Sequence, residues 1–381
     1  MEAMQTALKR GRDVWDSINM PRIEFQKRVE TIRKEMRKKN IDVLLLYGNG
    51  VNEYGNSCYV TNFVVAQARG ALAIIPLEGE IGLIFEGASR GLPAAKNTTW
   101  VEDVRPCWDV SREAVKYLEE KNLLRSTVGL ASLKKLMPYH QLQFLFQSLK
   151  DCKIMDSDDI IRDMRILKSE RECDQIRRAS RIVNSAFNLI PGYFSPNVSG
   201  RILEADIDRA VRLEGAEDTR ILLAKPREDN WTLRPAEDGK ITPEDAIIVY
   251  IAVEFERYWS EGVRTFVAKP DSLVTPQIDS TRTLYERIIS GIRPGRSASE
   301  FYRGAVDELN KNSVHWIPDY GLGQGIGLGL QEPPVLSERD TTPFKEGMCL
   351  AVRLAIRDDD KGAVMIGDTV YLSANGPEVL A

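Results

Sequence analysis

The stretch YGLGQGIGLGLQEPP, Tyr320 to Pro334, carries glycine at 321, 323, 325, 327 and 329, every second position. Two phosphate-binding readings fail on its letters. G-x-G-x-x-G needs glycine at 326 if begun at 321, or at 328 if begun at 323, and those positions hold Ile326 and Leu328. No G-K-[ST] closes the run, so it is not a P-loop. A period of two predicts one continuous strand, with the glycines on one face and Leu322, Gln324, Ile326, Leu328 and Leu330 on the other. Glycine inside a strand marks a place where a ligand or another backbone comes close.

Around this run the hydrophobic pattern predicts antiparallel strands interrupted by helix pairs. AIIVYIAVEFERYWSEGVRTFVAK reads as two long strands meeting at a turn near Glu256, and MCLAVRLAI (348–356) and AVMIGDTVYLS (363–373) as two more. Helices are expected at about 168–190 and 200–214, the first opened by a Ser169/Glu172 capping box, and at 273–292 and 298–312 around Arg293-Pro294-Gly295. The amino-terminal half differs. A charged helix at about Arg22–Asn40 precedes the short apolar strands IDVLLLY (41–47), GALAIIP (70–76), EIGLIFE (80–86) and TVGLAS (127–132), with helical patterns between them. The fold class expected is therefore an α/β domain over residues 1–160 followed by an α+β domain over 161–381.

Composition narrows the function classes. The 381 residues hold 52 Lys plus Arg against 56 Asp plus Glu, a net charge of −4, so no basic field draws nucleic acid or anionic lipid. No apolar run reaches membrane-span length, and MEAMQTALKRGRDVWDS carries charge where a signal peptide needs an apolar core; a cytoplasmic location is expected. The five cysteines are widely spaced without a C-x-x-C pair, which predicts reduced thiols. Only two histidines exist, His140 and His315, and both sit in patterns that favour a structural role.

Four ordered segments then resemble the creatinase, aminopeptidase P and methionine aminopeptidase family, the pita-bread fold. YWSEGVRTF (258–266) is similar to its S-D-x-T-R-T strand, and GQGIGLGLQEPP (323–334) to its G-H-G-I-G-L…H-E-x-P. KEGMCLAVRLA (345–355) resembles its P-G-M…E-P-G, and VMIGDTV (364–370) its V-x-x-E-D-T-V. RIEFQKRVETIRKEMRKKNIDVLLLYG with SCYVTNF resembles the amino-terminal domain of creatinase and aminopeptidase P. The resemblance maps the two Asp, the His and the two Glu that hold paired divalent ions in metal-dependent members onto Tyr250, Glu261, Gln324, Arg353 and Gly367. It maps two further histidines onto Gln331 and the vicinity of Leu233. Such a set cannot cage two metal ions, so no metal and no cofactor is expected, and Arg353 is expected to pair with Glu261.

Creatinase hydrolyses a C–N bond of a small guanidino compound on this fold without metal. The resemblance thus implies a metal-independent, creatinase-like hydrolase acting on a C–N bond of a small polar or charged compound. Its alternatives are a non-catalytic pita-bread protein that binds a ligand or peptide, and a lyase on the same scaffold. The candidate catalytic residues are Glu261, Glu332 and Tyr250, a buried glutamate being able to relay a proton. The candidate substrate-binding residues are Gln324, Gln331, Arg353, Glu254, which shares strand parity with Tyr250, and Arg69. By resemblance, Arg69 reaches from one subunit of a homodimer to bind a carboxylate in its neighbour's site.

Overall fold

The computed structural model describes residues 14–380 except 52, 66–68, 194–197, 227–231, 243–244, 270–271, 273 and 359–361. Two units divide between Arg165 and Ile166.

The amino-terminal unit is built on VLLLYGN, a strand buried on both faces along nearly all its length. Its elements are α1 (Arg22–Lys39), β1 (Val43–Asn49), α2 (Gly55–Thr61), β2 (Gly70–Pro76), β3 (Gly82–Glu86), α3 (Leu92–Thr98) and β4 (Asp103–Cys107). There follow α4 (Val110–Glu120), β5 (Thr127–Ala131), α5 (Leu133–Leu136), α6 (Tyr139–Ser148), β6 (Lys153–Asp156) and α7 (Asp158–Ile166). Their sheet runs β4-β3-β2-β1-β5-β6. It is mixed: β1 pairs antiparallel with β2 and parallel with β5. Leu45, Leu72, Ile84 and Leu130 pack on Val110, Tyr117 and Leu145 of the covering helices, which is why these strands read as continuous apolar runs. α1 stops where Asn40 turns left-handed (φ 54°) and its N–H closes onto the Arg37 and Met36 carbonyls.

The carboxy-terminal unit holds α8 (Glu170–Leu189), α9 (Gly200–Leu213), β7 (Asp218–Ala224), β8 (Ala246–Phe255), β9 (Tyr258–Val267), α10 (Thr275–Ile289) and α11 (Ala298–Lys311). The strands β10 (Gly323–Gly325), β11 (Glu332–Val335), β12 (Cys349–Asp358), β13 (Gly362–Ser373) and β14 (Gly376–Val379) complete it. Among the described residues the sheet runs β11-β10-β12-β13-β9-β8-β7, with β14 on β13. Every pairing is antiparallel.

Alternation along these strands sorts the two faces. Val249, Ile251 and Val253 of β8 pack under Ile182, Val183 and Phe187 of α8 and Leu203 of α9. Leu350, Val352 and Leu354 of β12 pack under Leu284 and Ile288 of α10 and Phe301 of α11. Tyr250, Val263, Gly367 and Arg353 fall on the opposite face, in one row set by the registers Tyr250↔Val263↔Gly367↔Arg353. The Ser169/Glu172 capping box opens α8 as expected.

The glycine run is not one strand. Only Gly323–Gly325 is extended against β12, the chain then bends, and Glu332–Val335 returns antiparallel to β10. The glycines serve close approach: a Cβ at Gly325 would sit 2.3 Å from the Pro333 carbonyl oxygen, and one at Gly327 2.8 Å from Glu332 Oε2. A period of two in glycine carries no strand signal, because there is no side chain to place on either face.

The β8–β9 turn falls at Glu256 (φ 46°) and Arg257 (φ 72°), two left-handed residues in succession. Arg257 there donates from its backbone and its guanidinium to Glu217, at 2.9 and 2.7 Å, and to Glu256 at 3.2 Å. Burial pushes Glu217 up from 4.5 to about 7 against the pull of Arg257, and the charges of Glu254 and Glu256 add to the rise. A carboxyl raised in the folded state binds a proton that the unfolded chain has already lost. Its contribution is therefore complete below about pH 4.5 and is lost as pH rises through about 7. Urea unfolding should show stability falling across that window, and Glu217→Gln should flatten the fall; an unchanged slope in the variant would assign it to other groups.

Among the described residues no helix is long and apolar enough to cross a membrane.

Candidate functional site

Four strands place four side chains together on the face of the carboxy-terminal sheet away from the helices. Glu261 on β9 is the hub. Its Oε1 accepts from Arg353 Nη1 at 2.7 Å and its Oε2 from the Tyr250 hydroxyl at 2.7 Å. Arg353 also donates from Nη2 to Gln324 Oε1 at 2.5 Å and from Nε to the Tyr320 carbonyl at 2.9 Å. Gln324 in turn donates to the Leu330 carbonyl at 3.5 Å, the loosest contact of the set. The Glu261 backbone is pinned on both sides by Thr369 Oγ1, at 2.9 Å from its N and 3.0 Å from its O. The expected pairing of Arg353 with Glu261 is thus direct, with side chains 18% and 6% exposed.

Burial first, and the neighbouring Glu261 charge second, push the Tyr250 phenol well above its ordinary value. The hydroxyl therefore stays protonated and acts as a donor, not as a base.

This donor set does not fit a pair of divalent ions. Of the five positions that the resemblance maps to metal ligands, Glu261 is the one carboxylate, and donors already face both its oxygens. The Arg353 guanidinium sets a fixed positive charge 2.7 Å from that carboxylate, which an ion of the same sign would have to displace. Gly367 sits opposite it in the ladder, where a Cβ would meet Arg353 Cβ and the Val352 carbonyl at 2.8 Å each. Among the described residues no group of three or more His, Cys, Asp or Glu could hold a metal ion.

Several sequence expectations part from this geometry. Glu332, expected as an acid, is buried and held by Lys168 Nζ at 3.1 Å and the Gly329 N–H at 2.8 Å. Those side chains are 2% and 4% exposed, so Glu332 serves to fasten the start of the unit to the glycine turn. Gln331, expected to bind substrate, is exposed: it alternates with inward-facing Glu332, and only one of two neighbours in a turn can point in. Glu254 has the expected strand parity but lies at the far end of β8, buried beside Glu217, whose carboxyl it raises. Arg69 is an exposed residue of the amino-terminal unit. His140 and His315 are both exposed.

The sequence reading missed other members of this face. Arg220 of β7 lies opposite Ala252 and stacks over the buried Trp259 ring, 5.4 Å from its centroid. The Tyr320 carbonyl had no signal, since a backbone acceptor has no letter. Thr369 did have one, as the T of VMIGDTV, while Asp368 beside it turns to the helix side with Ile366 and Val370. Asp368 pairs with Arg264 of VRTF, and Arg264 Nη1 donates to the Gly367 carbonyl at 2.6 Å.

Comparison with known proteins places these observations in context. Residues 174–374 match the model of metallopeptidase family M24, and residues 28–167 that of the creatinase/prolidase N-terminal domain. The Xaa-Pro dipeptidase of Pyrococcus horikoshii is 25% identical over 270 residues, covering 70% of this chain and 77% of the relative. The probable dipeptidase PepE of Mycobacterium tuberculosis is 24% identical over 221 residues, 57% of this chain and 59% of its own length. Among solved structures, the X-Pro aminopeptidase of Thermotoga maritima superposes with a TM-score of 0.80 at 21% identity, covering 93% of this chain and 97% of that one.

The expected fold, an α/β domain followed by a pita-bread domain, stands. The expected creatinase-like hydrolysis of a non-peptide C–N bond does not: the named relatives are peptidases. The amino-terminal match is to a domain common to creatinases and prolidases, so that half of the resemblance never favoured creatinase.

Proposed function

The chain belongs to metallopeptidase family M24, and from that premise we propose that it binds short peptides in a pocket where protein charges replace the family's metal ions. The observation that carries this reading is the 2.7 Å contact of Arg353 with Glu261. Peptides are the substrate class named for its relatives, an Xaa-Pro dipeptidase and an X-Pro aminopeptidase among them.

The remaining chemistry suits holding a peptide more than cleaving one. Of the five N–H bonds of a guanidinium, three from Arg353 go to Glu261, Gln324 and the Tyr320 carbonyl. The other two can donate to a peptide carbonyl or carboxylate, and Arg220 adds a second cation on the same face. A base to activate water is missing from this group: Tyr250 is held protonated, and both Glu261 oxygens already accept hydrogen bonds.

The test combines metal content with peptide titration. Protein exposed to manganese, cobalt or zinc salts and then desalted should carry no stoichiometric metal and should leave Xaa-Pro dipeptides uncleaved. The same dipeptides should bind in calorimetric titration with an affinity that a chelator does not change. Two ions per chain with metal-dependent cleavage would overturn the metal-free reading, and the absence of any peptide binding would overturn the peptide reading.

A further inference from the structure

Beside the Arg353 group, on the same face of the same unit, a cleft of about 510 Å3 opens against the second half of β12. Alternation brings Arg357 to the face that carries Arg353 and Ala355. The segment before the glycine run forms the opposite wall. It is laid along β12 by hydrogen bonds from the Ile317 N–H to the Ala355 carbonyl and from the Arg357 N–H to the His315 carbonyl, both 2.8 Å. That pairing lines the cleft with His315, Ile317, Asp319 and Tyr320. The Trp316 indole turns to the other face of β12, where it meets Tyr302, ring centroids 6.3 Å apart, and the helix-side core. Tyr320 is steadied by its hydroxyl, which accepts from the Leu233 N–H at 3.3 Å.

The charges of this cleft are unspent. Among the described residues no carboxylate lies within salt-bridge distance of the half-buried Arg357 guanidinium, and no cation within that distance of Asp319. Nor do the two reach each other. A half-buried cation and an exposed anion, held apart beside Ile317 and the Tyr320 phenol, match a ligand that carries both charges on an apolar body.

We propose that this cleft is a binding site for a small zwitterion of the α-amino-acid type. The ligand carboxylate pairs with Arg357, its ammonium pairs with Asp319, and its side chain lies against Ile317 and Tyr320. His315 offers a further donor to the carboxylate. The site stands apart from the Arg353–Glu261 contact and does not require that a peptide bind there.

Calorimetric titration of the full chain with L-phenylalanine and L-proline tests the site. At least one of the two should bind to the wild type. The amide of that amino acid lacks the carboxylate and its N-acetyl form lacks the ammonium; each should bind roughly tenfold more weakly or worse. Arg357→Gln and Asp319→Asn should each weaken the parent amino acid to a similar degree, and Arg357→Gln should not weaken the amide further. The ligand series on the wild type keeps the test decisive should either variant fold poorly. No binding of either amino acid overturns the proposal, as does equal affinity for the amino acid and its amide, or wild-type affinity in either variant. Loss of Xaa-Pro binding alone would count against the peptide pocket and leave this site standing.

Discussion

Arg353→Met is expected to destabilise the protein by about 3–5 kcal/mol, because it strands the Glu261 carboxylate with Tyr250 as its remaining side-chain donor. Removing one member of a buried pair costs more than the pair is worth, since the survivor keeps its desolvation penalty without the attraction that offset it. The double variant Arg353→Met, Glu261→Gln should recover most of the loss, since neither charge then remains. Urea unfolding of the four proteins in a double-mutant cycle measures this coupling directly. A single-variant cost under about 1 kcal/mol, the range of an exposed pair, would mean that water rather than protein solvates Glu261. The pocket would then have room for something else.

Gly323→Ala is the second large effect, and its origin is backbone geometry rather than charge. Gly323 has φ +129°, outside the range that L side chains adopt, and a Cβ there would lie 1.9 Å from the Ala351 carbonyl oxygen and 2.9 Å from its carbon. Strain of about 1–3 kcal/mol adds to about 1–3 kcal/mol for the forced separation of β10 from β12. The same separation would pull Gln324 away from Arg353, so Xaa-Pro affinity should fall together with stability. Gly192→Ala is the control, since its Cβ would meet nothing within 4 Å. It should change stability by less than about 0.5 kcal/mol. Similar losses for the two variants would assign the Gly323 effect to chain entropy instead of contact.

What could be read in the letters followed from local rules. The capping box at Ser169 and Glu172 depends on residues within one turn of each other and is present. The β8 strand follows the apolar run AIIVYIAV, and its turn into β9 falls where the charged residues interrupt that run, at Glu256. The strands left unread were those without such a pattern. β4 ends in Pro106-Cys107, β6 is only partly covered, and β7 is buried at three of its seven positions. Each is defined by the neighbour it pairs with more than by its own composition.

The sequence by itself determined the order of elements, the pita-bread resemblance and the residue types at Tyr250, Glu261, Gln324, Arg353 and Gly367. Of those five types one, Glu261, is a carboxylate. Tertiary structure alone decided what each polar residue is for. Glu261 and Glu332 are both buried glutamates within motifs of the resemblance, yet one bonds Arg353, 92 residues away, and the other meets Lys168, 164 residues away along the chain. A carboxylate's role is set by the charge and the solvent within a few ångströms of it, and long-range register, not local sequence, chooses that neighbour.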